Sequence, residues 1–131
     1  MKVRCLASTG EGLLPSTVIY IGDTVETQYP IKIGEVYTIY GQGILNNVLN
    51  YLIIGTYENL PSWYPAELFE VVDSQIYYEW LFEYNRDEIV RALWGYNELI
   101  VDKKHYVDLI ERQDKAIRIF LKRKKEIDDF N

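Results

Sequence analysis

The chain has 131 residues, of which 48% are apolar, and a net charge of −6. That composition suits one folded domain with a modest core, residues 1–131, and excludes a disordered chain. Cys5 is the sole cysteine, which excludes an intrachain disulfide and fits a reducing compartment. No run reaches the ~20 apolar residues of a membrane span. The start, "MKVRCLASTGEGLLP", has too short an apolar run for a secretion signal, so a cytoplasmic location is expected.

The charge is unevenly spread. Residues 1–84 carry three cations against ten carboxylates, a net −7. Phosphate contacts need Lys and Arg, so this acidic body argues against nucleic-acid binding. It favours a basic protein partner, although charge kept only for solubility explains it equally well.

Taken in chain order, "KVRCL" reads as a first strand and "EGLLPS" as a loop. "TVIYIGDTV" is apolar and β-branched within a strand-like region, interrupted by Gly22 and Asp23. "EVYTIYG" has apolar residues at both parities, the pattern of a strand covered on both sides. "GQGILNNVLN" reads as an extended turn leading into the strand "YLIIGTYEN". In "WYPAELFEVVD", Pro65 lacks a ladder donor and argues for a turn. A closing strand then follows, with Leu68 inward and Glu67 and Glu70 outward. "SQIYYEWLFEYN" alternates with period two from Ile76 to Tyr84 and reads as one long strand.

From Asn85 the period turns helical. Asn85 is a cap candidate, Asp87 and Glu88 suit a first turn, and Ile89, Leu93, Tyr96 and Ile100 form a stripe. Gly95 weakens that helix or breaks it. "DKKHYVDLIERQ" follows with Asp102 as its cap, and "DKAIRIFLKRKKEIDDF" with Asp114 as its cap. The expected fold is α+β: a small SH3-like antiparallel barrel or curled sheet over about 1–84, then two or three helices over about 86–129.

Chemistry-bearing patterns are sparse. His105 is the only histidine and has no patterned nucleophile beside it. One Cys and one His fall short of a closed zinc site. "GQG" lacks the context of a phosphate-binding fingerprint. Neither an enzyme, a cofactor nor a metal is expected. The "KRKK" run at residues 122–125 matches a helix C-terminus and needs no nucleic acid to explain it.

The block "IKIGEVYTIYG…LNYLIIG…WYPAELFEVVD", about residues 31–73, resembles SH3-like small barrels. In that resemblance Pro65 matches the turn proline, Phe69 follows on the closing strand, and Tyr51 stands near the position of a groove tryptophan. The closing segment also resembles small bacterial proteins that accompany secreted toxins as immunity proteins. The resemblance implies a bacterial immunity or inhibitor protein that neutralises a basic partner, such as a toxin nuclease. A phage-encoded inhibitor of a host defence protein would read the same way, and a ligand- or peptide-binding module is the alternative. The expected partner-binding residues are Trp63, Tyr64, Glu67, Glu70, Glu79 and Glu83: aromatic anchors beside carboxylates.

Overall fold

The computed structural model describes residues 1–131. Two antiparallel sheets and a helical layer stack on one another. The smaller sheet has the order β2–β1–β6, with β1 Lys2–Cys5, β2 Val36–Thr38 and β6 Phe69–Asp73. The larger has the order β5–β4–β3–β8–β7, with β3 Gly41–Leu45, β4 Val48–Ile53, β5 Ser62–Pro65, β7 Leu81–Tyr84 and β8 Val90–Gly95. The sheets curl over each other without closing. Helix α1 (Pro15–Ile21) lies in the long β1–β2 connection, and α2 (Asn97–Val101), α3 (Lys103–Ile110) and α4 (Asp114–Phe130) end the chain. The fold is α+β, as the sequence predicts.

Alternation along β4 explains the layering. Leu52 points into a core shared with the helices, while Tyr51 and Ile53 point into a second core against the smaller sheet. Trp63 and Tyr64 on β5 divide in the same way. The helix-side core centres on Phe120, fully buried and edge-on to Tyr40 at 5.4 Å. The sheet-side core holds Val3, Ile39, Leu68 and Phe69. Trp80 touches both.

Glycine lets α2 approach. Gly41 and Gly95 are cross-strand partners facing the helices. A methyl on Gly95 would fall 2.5 Å from Leu99 Cδ2, and one on Gly41 would fall 2.9 Å from it. Leu99 fills the notch these two residues leave.

Several elements differ from the sequence expectation. "STVIYI" is helical because Pro15 starts the helix, and Gly22 (φ 74°) ends it by donating its N–H to Val18 O. "GQGIL" is strand β3, joined to β4 by Asn46 and Asn47, both left-handed at φ 49° and 65°, the hairpin turn suited to the sheet's twist. The long strand predicted over residues 76–84 shortens to β7, and Trp80 N donates to Tyr77 O in a turn before it. The largest correction concerns residues 90–95. They form β8, a central strand between β7 and β3, and not a helix. Asn85 is a left-handed turn residue (φ 66°) and caps no helix. Asp102 does cap α3, accepting from Lys104 N and His105 N, whereas Gln113 precedes α4, with Asp114 its first residue.

Candidate functional site

The six residues expected to form one face do not share one. Trp63 and Tyr64 lie on β5 and Glu83 on β7, the opposite edges of the five-stranded sheet. Four inter-strand steps of about 4.8 Å separate those edges by roughly 19 Å.

Most of the expected carboxylates already serve the fold. Glu67, on the 3-10 turn Ala66–Leu68, accepts Leu14 N at 2.8 Å and the hydroxyl of buried Thr17. It caps α1 from a distant part of the chain, because Leu14 offers no side-chain cap. Glu83 pairs with Arg86 at 3.1 Å. The Arg86 side chain is only 4% exposed, and it also donates to the carbonyls of Leu99 and Ile100 near the end of α2. That hydrogen-bonded guanidinium holds the Glu83 carboxyl below the usual range. Tyr64 is buried and donates to Glu58. Burial first, and then Glu58, push its hydroxyl pKa up. Glu70 pairs with Arg4 at 2.9 Å, both about half exposed. Glu79 is exposed and accepts from Tyr77 at 3.0 Å.

Trp63 has a different setting. It forms one wall of an open cleft of about 370 Å³ between β4, β5 and α3. Tyr106 forms the adjoining wall, its ring 6.0 Å from Trp63 and inclined at 43°. Asn50 and Leu52 lie on the β4 side. Arg112, left-handed at φ 62° just after α3, reaches across to Pro61 O and to Ser62 Oγ at 3.0 Å. Those bonds engage its guanidinium and pin α3 to β5.

The rim is greasy and open. Ile89 and Ile110 line the cleft yet are 56% and 50% exposed. Ile21 brings in the end of α1, whose Ile19 and Tyr20 are 79% and 53% exposed. Next to the lining residues in the chain stand Asp87 and Glu88 before Ile89, and Asp108 and Glu111 around Ile110. Sequence reasoning missed Tyr106, Arg112, Asn50 and Ile89. Near this cleft the sequence marks only the apolar run "VIYI", of which Ile19 and Tyr20 turn to solvent while Val18 and Ile21 pack against the sheet-side core.

The remaining reactive groups lie apart. Cys5 is buried in the sheet-side core, and His105 is buried in the helical layer with Nε2 2.7 Å from the Tyr96 hydroxyl. No three His, Cys, Asp or Glu side chains converge as metal ligands. No helix is long and apolar enough to cross a membrane. No family model, curated protein or solved structure matches this chain.

Proposed function

We propose that the chain is a small interaction protein of the immunity or inhibitor kind, which neutralises a basic protein partner such as a toxin nuclease by receiving it at the Trp63 cleft. One observation carries this reading: an aromatic-walled cleft opens beside a short helix that turns Ile19 and Tyr20 to solvent. Folding alone does not explain that exposure, and contiguous exposed apolar surface commonly marks an interaction site. Trp and Tyr are suited to anchor a protruding side chain. The carboxylates around Ile89 and Ile110, with Arg112 already engaged, favour Lys or Arg around that side chain. A basic host defence protein inhibited by a phage product would be received in the same way.

The test is recovery of the tagged protein from its source cells, followed by binding measurements on the recovered partner. Trp63→Ala and Ile110→Asp are each expected to weaken binding by at least about tenfold, and affinity is expected to fall as salt rises. Failure to recover a partner, or binding indifferent to both substitutions, sinks the reading. A second reading, a small-molecule or peptide module, is favoured by the cleft volume, which falls in the ~300–1,000 Å³ range of ligand pockets. Quenching of Trp63 fluorescence by a low-molecular-weight cell extract would support it.

A further inference from the structure

Four strand edges bound the two sheets, and three of them are blunted. β2 is three residues long. β5 ends in Pro65, which has no N–H to offer. β6 has an irregular register against β1. These are devices that stop one sheet from adding to another. β7 has none of them. "LFEY" contains no Pro, Lys or Arg, and its pairing with β8 is regular from Leu81 to Tyr84. Leu81, Phe82 and Tyr84 are 42%, 52% and 68% exposed. The single charge, Glu83, is engaged by Arg86.

The backbone has a direction as well. Asn85 N donates to Arg91 O, so position 85 points toward β8, and by strand alternation so do 83 and 81. The N–H and C=O groups of Phe82 and Tyr84 therefore point outward, along an edge with no strand beside it.

We propose that β7 is the seam of a two-fold dimer, in which a second copy of the chain pairs its β7 antiparallel to this one about Phe82. A shift of one residue would turn every side chain to the wrong face. Centring on Glu83 would set like charges directly opposite. Centring on Phe82 avoids both. It places Phe82 against the partner's Phe82, Leu81 against the partner's Glu83, and the Tyr84 N–H toward the partner's Trp80 carbonyl.

The side chains match across that axis. Phe82 already stacks on Trp94 at 4.6 Å and 31°, so the seam continues one row of rings, Trp94–Phe82, into the partner's Phe82–Trp94. The seam lies on the sheet edge opposite Trp63, so a dimer leaves both clefts open.

Sedimentation equilibrium on the full chain, from about 1 µM to about 1 mM, tests the seam. The weight-average mass is expected to rise from 15.5 kDa toward twice that value. Phe82→Lys is expected to keep the circular dichroism and unfolding midpoint, since the side chain is half exposed, and to weaken association at least tenfold. Leu121→Lys, on the exposed side of α4, is expected to leave association unchanged. Amide exchange at Phe82 and Tyr84 is expected to slow as concentration rises. A wild-type chain that stays monomeric overturns the proposal and leaves the edge to a strand of some other protein. A dimer indifferent to Phe82→Lys, or without that protection at Phe82 and Tyr84, overturns it equally.

Discussion

His105 is the only histidine in the chain and is 3% exposed. Its Nε2 meets the Tyr96 hydroxyl at 2.7 Å, and its Nδ1 has no partner. Either neutral tautomer can share one bond with Tyr96, but an imidazolium would bury a second, unpaired N–H. Burial therefore lowers the His105 pKa, and the nearby Asp102, Glu98 and Asp108 offset this only in part. The sign follows from linkage. Below pH ~6.5 the unfolded chain takes up a proton that the folded chain refuses, so stability falls as pH falls. The fall can be no steeper than about 1.4 kcal/mol per pH unit, the slope of a single proton. It continues until the folded-state pKa is reached. Glu83 and Glu98, held low by Arg86 and Arg123, add losses only as pH falls below their usual values near 4.3. Urea unfolding of the wild type and of His105→Gln between pH 8 and 5.5 isolates the effect, since the variant lacks the titrating group. Parallel profiles for the two proteins would refute the buried, half-paired imidazole.

Two further substitutions test how the fold is held. Glu67→Ala removes both acceptors at the start of α1 and is expected to cost about 1.5–3 kcal/mol in urea unfolding, with amide exchange accelerating in α1 before the sheets. Gly95→Ala drives a methyl against Leu99 Cδ2 and is expected to lower stability by about 1–3 kcal/mol. Pairing it with Leu99→Ala should return part of that loss in a double-mutant cycle.

Local grammar carried the sequence reading where an element had one wet and one dry side. β1 and α3 are such cases: alternation marks the first, with Val3 and Cys5 buried and Arg4 exposed, and the Asp102 cap marks the second. It failed at β8, which is central and buried on both faces. Ala92 and Leu93 point opposite ways and both are buried, so no alternation survives to be read. The spacing of Ile89, Leu93, Tyr96 and Ile100 then imitates a helix. It failed at α1 for the opposite reason. That helix turns Ile19 and Tyr20 outward, so no polar face betrays its period, and only Pro15 and Gly22 mark its ends. The six expected contact residues scatter because strand order is a long-range property. Nothing in residues 62–84 announces that β3 and β8 will come to lie between Trp63 and Glu83.

The tyrosines of the interior have a consequence at the other end of the pH scale. Tyr40 donates to Asp128 and Tyr64 to Glu58, and burial followed by these carboxylates raises both hydroxyl pKa values. The unfolded chain would ionise the same hydroxyls near pH 10. Their contribution is complete below that pH and is lost as it rises, at about 2.7 kcal/mol per pH unit for the two together. Alkali therefore draws these protons off through unfolding rather than from the folded surface. The two tyrosinates should emerge together with exposed backbone, as one cooperative event. The imidazole limits the chain in acid, and the phenol–carboxylate pairs limit it in base.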